Sequence, residues 1–178
     1  MRKAMYYTNE GEKIKCLLCP RECILSEGQK GFCRSREVIN GSFVATAYGK
    51  TTSLALDPIE KKPLYHFHPG SMIVSLGPNS CNLTCKFCQN WEISQQDCPT
   101  RYLAIEDLIE IIKNQQDQKV AFTYTEPLMW YEYILDFAAK APEIDIVLVT
   151  NAYINKEPWS NMMQYVKAVN IDIKSFRD

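Results

Sequence analysis

Cys81-Asn82-Leu83-Thr84-Cys85-Lys86-Phe87-Cys88-Gln89-Asn90 is the stretch on which the reading of this chain turns. Its three thiols, at spacing C-x3-C-x2-C, fit on one short loop and can converge on three corners of an iron–sulfur cubane. Such clusters usually take four thiolates. Three from one loop leave one iron without a nearby protein ligand, open to chemistry. Zinc also takes thiolates, but a structural zinc wants four ligands. The next Cys or His after Cys88 is Cys98, too far along for the same tight loop. Just before the loop, Ile73-Val-Ser-Leu-Gly77 reads as a short buried strand and Gly77-Pro78-Asn79-Ser80 as the turn out of it. Cys81, Cys85 and Cys88 thus stand at the C-terminal end of a strand, where α/β barrels gather their active sites.

Downstream, helix and strand patterns alternate. Ile105, Leu108, Ile109 and Ile112 recur at helical spacing, which predicts a helix over about 103–116 with Glu106 and Asp107 near its positive end. Lys119 to Tyr124 reads as a strand, and Leu128 to Ala141 as a helix begun by Pro127 and stopped by Pro142. Strands follow at 144–149 and 168–174, with a shorter helix over 157–166 between them. This alternation predicts parallel strands with right-handed crossovers. The expected fold class is α/β: four strands of a partial, truncated parallel β/α barrel over 59–178, behind a small N-terminal Cys-rich lobe over 1–58. Four parallel strands do not close a barrel, so the expectation is a piece of a longer one.

Polar groups stand where each strand ends. The second strand delivers Thr123, Thr125 and Glu126, the third Thr150 and Asn151, the fourth Asp172 and Lys174. A carboxylate at Glu126 suits the ammonium of a bound amino acid, and Asn151 suits a ribose or a carboxylate. Each has a plainer reading: Thr-Glu-Pro as a helix cap, Asp172 with Lys174 as a surface ion pair. Together, on successive strand ends beside the triad, they predict one cofactor pocket.

Upstream, residues 1–15 are polar and read as an arm. Cys16, Cys19, Cys23 and Cys33 then fall within one short segment at spacing C-x2-C-x3-C-x9-C, too poor in apolar residues to fold by burial alone. Zinc, an auxiliary cluster, and four free thiols in a small core all remain open for this second site. Runs at 43–48 and 51–56, split by Gly49-Lys50, read as a hairpin. His66 and His68, the two histidines, alternate across an extended segment and read as packing residues near the cofactor mouth.

Composition excludes several classes. Hydrophobic residues make up 46%, charged ones 23%, and the formal net charge is −1, so there is no strong nucleic-acid signal and no membrane-surface field. No run reaches the length of a transmembrane helix, and the first residues lack the apolar core of a signal peptide. Seven of the eight cysteines sit in two tight clusters, the pattern of metal binding in a reducing compartment. The expected location is cytoplasmic.

The cysteine spacing resembles that of the radical S-adenosylmethionine (SAM) superfamily. Cys16-x2-Cys19-Pro-Arg, Asp57-Pro-Ile-Glu-Lys-Lys-Pro-Leu-Tyr-His-Phe67, Cys88-Gln-Asn-Trp-Glu-Ile-Ser94 and Tyr124-Thr-Glu-Pro127 are similar to the AmmeMemoRadiSam-system enzymes, relatives of pyruvate formate-lyase activating enzyme. The resemblance implies an oxidoreductase in which Cys81, Cys85 and Cys88 hold a [4Fe–4S] cluster whose fourth iron is chelated by SAM. An electron donor reduces the cluster, SAM is cleaved, and hydrogen is abstracted from an unidentified substrate. It also permits installation of a glycyl radical on a partner protein. Glu126 matches the acidic SAM-amine position, and Asn151, Asp172 and Lys174 match later SAM-contacting positions, with Thr125 beside them. The acidic motif departs from the Gly-Gly-Glu of many relatives. A metal-binding scaffold without catalysis is the rival reading.

Overall fold

The computed structural model describes residues 1–176, so the last two positions of the expected barrel portion lie outside the described residues. The first strands are β1 (Tyr7–Glu10), β2 (Lys13–Cys16) and β3 (Ile24–Leu25), which form a small antiparallel sheet in that order. The polar arm expected over 1–15 is therefore largely sheet. Ile14 and Cys16 turn inward from β2 while its lysines face out, an alternation too short to stand out in the sequence. Next come β4 (Arg36–Ile39) and β5 (Ser42–Ala45), a hairpin turning at Asn40 and Gly41, both with positive φ.

The hairpin expected between 43–48 and 51–56 does not form. The earlier run pairs backward with β4. The later one, β6 (Lys50–Pro58), runs antiparallel to β7 (Met72–Pro78), with Asp57 opposite Ile73 and Thr51 opposite Pro78. The central sheet thus reaches across the expected boundary at residue 58. Beyond the cysteine loop lie α1 (Trp91–Gln95), β8 (Arg101–Tyr102), α2 (Ile105–Lys113), β9 (Lys119–Phe122), α3 (Tyr131–Lys140), β10 (Asp145–Thr150), α4 (Lys156–Met162) and β11 (Val166–Ile171). The six-stranded order is β11-β10-β9-β7-β6-β8. The four strands read from the sequence are parallel, as expected, while β6 and β8 make the sheet mixed.

The two faces of the sheet are covered differently. Val74, Leu76, Val120, Phe122, Ile146 and Leu148 point to one side, in a core shared with α2, α3 and the N-terminal strands. On α2, Ile105, Leu108 and Ile112 make the buried stripe that the helical spacing predicts. Helix α3 is buried on most sides because the N-terminal segment packs over it. Tyr6 meets Tyr131 edge-on at 5.1 Å, and the buried Arg36 guanidinium bonds Glu132 at 2.8 and 3.0 Å. The opposite face carries Ile73, Ala121 and Val147, against which Ile59, Leu64 and Phe67 pack. The Asp57–Phe67 run therefore lines that face. His68 lies by Asp145 at the N-terminal end of β10, with 3.5 Å between Nε2 and Oδ2. That is the rim opposite the cysteine loop, which corrects the expectation of a place near the cofactor mouth for His68.

Candidate active site

Strand β7 delivers the cysteine loop at its C-terminal end, where β9 and β10 also finish. The close approach is possible because Gly77 lacks a side chain: a Cβ there would be driven into the Thr123 carbonyl oxygen. Asn79 then folds the loop back on itself. Its amide donates to the Ile93 and Gln96 carbonyls at 2.6 and 2.7 Å, and its oxygen accepts from the Cys98 N–H.

Cys81, Cys85 and Cys88 are half-buried free thiols on this loop. The Cys88 N–H closes a turn on the Cys85 carbonyl at 3.2 Å, and the Cys88 thiol lies 3.3 Å from the Ser94 hydroxyl. Burial pushes the Cys81 thiol up to about 12. Glu126, Cys85 and Cys88 are near enough to raise it further, and the Leu83 N–H opposes them. Bound iron reverses this preference, since a metal-bound thiol loses its proton. Three unpaired thiols on one loop are a donor set that fits a [4Fe–4S] cluster. Among the described residues, no three His, Cys, Asp or Glu side chains already stand at the spacing of a single metal ion.

Around this loop the strand ends form one hydrogen-bonded assembly. Glu126, 1% exposed, accepts from Leu128 N–H and from the Thr150 hydroxyl on Oε1, at 3.1 and 2.6 Å. Its Oε2 accepts from the Asn151 N–H at 2.8 Å. Burial lifts this carboxyl to about 7 even though all three donors and the nearby Lys174 favour its charged form. Glu126 is thus both the cap of the turn into α3 and a clamp between the ends of β9 and β10. Asn151 donates to the Asn82 side-chain oxygen at 3.0 Å, and Thr125 donates to the Pro78 carbonyl at 2.8 Å. The residues expected on the second and third strand ends are therefore brought to the cysteine loop.

Asp172 and Lys174 are placed differently. The β10–β11 pairing ends at Thr150 opposite Ile171, so both residues follow the strand and do not share a face within it. The Asp172 N–H still bonds the Thr150 carbonyl at 2.9 Å, and Lys174 pairs with Asp172 at 3.0 Å, partly exposed.

Sequence reasoning missed Asn82, Ser80 and Asn90. Asn82 is 1% exposed: its amide donates to the Tyr153 carbonyl at 2.6 Å, and its own carbonyl accepts from Arg21. Ser80 donates to the Cys33 carbonyl at 2.7 Å, joining the loop to the N-terminal cysteines. Asn90 donates to the Tyr124 carbonyl at 2.6 Å. Tyr124, held at positive φ, turns its phenol to Asp57 at 2.8 Å. A small polar residue within or beside a cysteine loop carries no periodic signal.

With that geometry in place, comparison with known proteins decides the family. The family model of the radical SAM superfamily matches residues 77–178. This chain belongs to the radical SAM superfamily. The match begins at Gly77, just before the cysteine loop. The chain is 45% identical to the uncharacterized protein MJ0808 of Methanocaldococcus jannaschii over 100% of its own length and 55% of that protein's. A second uncharacterized protein of that organism, MJ0674, is 28% identical over 88% of this chain and 41% of its own length. The chain thus spans about half the length of these relatives. No solved structure matches. Among the described residues, no helix is long and apolar enough to cross a membrane.

Proposed function

We propose that Cys81, Cys85 and Cys88 hold a [4Fe–4S] cluster and that SAM lies between this loop and the ends of β9, β10 and β11. The observation that carries the reading is the single hydrogen-bonded assembly joining the three-thiol loop to Glu126, Thr150 and Asn151. When bound and reduced, the cluster supplies the electron that cleaves SAM. The chain's own residues fix the geometry. Asn151, oriented through its N–H by Glu126 and through its amide by Asn82, offers polar groups to the cofactor. Thr125, Asp172 and Lys174 complete the rim. Glu126 has both oxygens taken by protein donors, so its part is to position Asn151, while direct contact with the SAM amine requires one of those donors to let go.

Within the superfamily, the Asp57–Phe67 run supports kinship with the AmmeMemoRadiSam-system enzymes. It is an ordered part of the sheet face: Asp57 accepts from Lys61, Lys62 and Tyr124, and the buried Lys62 lies over the Tyr124 ring at 4.7 Å. The eight free thiols favour a reducing compartment such as the cytoplasm. We infer hydrogen abstraction from a substrate not identified by the site, with a separate electron donor.

The test is anaerobic reconstitution of this chain with iron and sulfide. About four irons and four sulfides per chain, and a change in the electron paramagnetic resonance of the reduced cluster on adding SAM, are expected. Zinc bound without acid-labile sulfide supports the scaffold reading instead.

A further inference from the structure

We propose that Cys16, Cys19, Cys23 and Cys33 bind a single zinc ion with four thiolates, at a site separate from the cluster triad. This does not rest on the radical SAM reading. The four cysteines come from three separate pieces of the N-terminal segment, β2, the turn before β3 and the loop before β4, yet all line one cavity of about 10 Å³. None is in a disulfide. A cavity of that size admits about one water-sized sphere. One ion fits there, whereas a four-iron cubane with its sulfides does not.

A second observation points to a negatively charged occupant. Arg36 also lines the cavity and is 1% exposed. Its Nη1 donates to the Met5 carbonyl at 2.8 Å, and Nη2 is held by Glu132. Its Nε–H is buried without any partner. A buried donor left unmade is costly and usually marks a missing acceptor. Four thiolates around one divalent zinc carry net charge −2, and their sulfurs accept N–H bonds. The Arg36–Glu132 pair is neutral overall, so it supplies a dipole and a donor without cancelling the charge of the site.

The thiols do not yet stand at single-ion spacing. Binding therefore has to draw them inward. Cys19, Cys23 and Cys33 lie on turns and loops and Cys16 ends β2; the Cys33 thiol, 3.0 Å from the Ser35 hydroxyl, has to give up that contact. Deprotonation accompanies binding. Burial raises the Cys16 thiol to about 11 in the metal-free chain, with Arg36 opposing it, and a bound metal releases that proton. The site is also wired to the triad loop: Ser80 bonds the Cys33 carbonyl, and Asn82 borders the cavity. A zinc here would hold the N-terminal segment against the cluster loop.

The experiment uses the chain carrying Cys81→Ser, Cys85→Ser and Cys88→Ser, loaded anaerobically with zinc alone and dialysed against a weak chelator. About one zinc per chain should remain. In a parallel sample, cobalt(II) should give the visible bands of a tetrahedral four-thiolate site. Adding Cys19→Ser and Cys33→Ser should abolish both. The cobalt spectrum keeps the idea testable if that last variant fails to fold. Absence of retained zinc, an octahedral cobalt spectrum, or uptake of iron with sulfide by the four N-terminal cysteines overturns the proposal. Each of those results leaves the cluster test at the triad untouched.

Discussion

The Thr150 hydroxyl donates to Glu126 Oε1 at 2.6 Å, tying the end of β10 to the end of β9. Glu126 answers with its other oxygen on the Asn151 N–H, so one buried carboxylate sets the spacing of two strand ends. Glu126→Gln puts an amide NH₂ where Oε2 accepts, facing the Asn151 N–H. The expected loss is about 1–3 kcal/mol of stability, the cost of a buried donor left unpaired. The pH dependence gives a second handle. Burial raises this carboxyl from 4.5 to about 7, so the folded state holds the proton more tightly than the unfolded. Its contribution is full below about pH 4.5 and falls away as pH rises toward about 7, then stays level. Thermal unfolding of the metal-free protein across that range should show the slope in the wild type and not in the variant. Parallel profiles would mean that the carboxyl titrates elsewhere.

Asp57 and Lys62 predict the opposite dependence. Burial alone would raise the Asp57 carboxyl, but hydrogen bonds from Lys61, Lys62 and Tyr124 override it and hold it well below its ordinary 3.8. Its contribution is therefore present above 3.8 and is lost as pH falls through the depressed folded value. Asp57→Asn strands a buried ammonium and should cost about 3–5 kcal/mol at neutral pH. Adding Lys62→Met should recover much of that loss. A double variant as unstable as the single one would show that Asp57 works mainly through Tyr124.

How much of this was legible beforehand depended on the kind of signal. The parallel strands and α2 could be read because Ile105, Leu108 and Ile112 repeat at the helical period, and because the strands are continuous apolar runs. That Cys81, Cys85 and Cys88 share one loop at the end of a strand was legible from spacing and the apolar run before them. Strand pairing was not. The runs flanking Gly49-Lys50 look like a hairpin, yet β6 finds β7 across the Ile59–Ser71 connection. Strand β7 is buried along almost its whole length and takes a neighbour on each edge, while β6 stays largely exposed, so the apolar pattern of β6 does not announce its partner. The ends of elements were also overread: β11 stops at Ile171 because β10 stops at Thr150, and this leaves Asp172 and Lys174 outside the ladder. Glu126, Asn151 and Thr125 were legible as strand-end polar residues. Asn82 and Ser80 were not, because hydrogen bonds that span 47 to 71 residues of chain leave no local pattern.

Gly77 offers a test of the approach between β7 and β9. Thr123 N–H bonds the Leu76 carbonyl at 2.8 Å, and the Thr123 carbonyl sits directly over the Gly77 Cα. Gly77→Ala forces the two strands apart at the mouth of the cysteine loop. Overpacking of this kind costs about 1–3 kcal/mol. The melting temperature and the iron taken up on reconstitution should fall together. Full iron uptake in a destabilised variant would show that the loop adopts its geometry independently of the strand spacing.

Asn82 tests whether the loop is held by protein or only by its metal. Its side chain satisfies the Tyr153 carbonyl and the Asn151 amide, and its carbonyl receives Arg21, all while flanked by Cys81. Asn82→Ala removes both bonds from these part-buried groups, and the two together are worth about 1–3 kcal/mol. Part of that cost falls on the loop itself, so a reconstituted cluster should lose iron to a chelator about tenfold faster, equivalent to about 1.4 kcal/mol. Thr84→Ala, at an exposed position of the same loop, is the control and should stay within about 0.5 kcal/mol of the wild type. The comparison separates the two explanations. If both variants lose iron at the wild-type rate, the three thiolates alone fix the loop, and Asn82 serves only to join the strand ends. If Asn82→Ala releases iron while Thr84→Ala does not, the buried amide is what keeps Cys81 in register with Cys85 and Cys88.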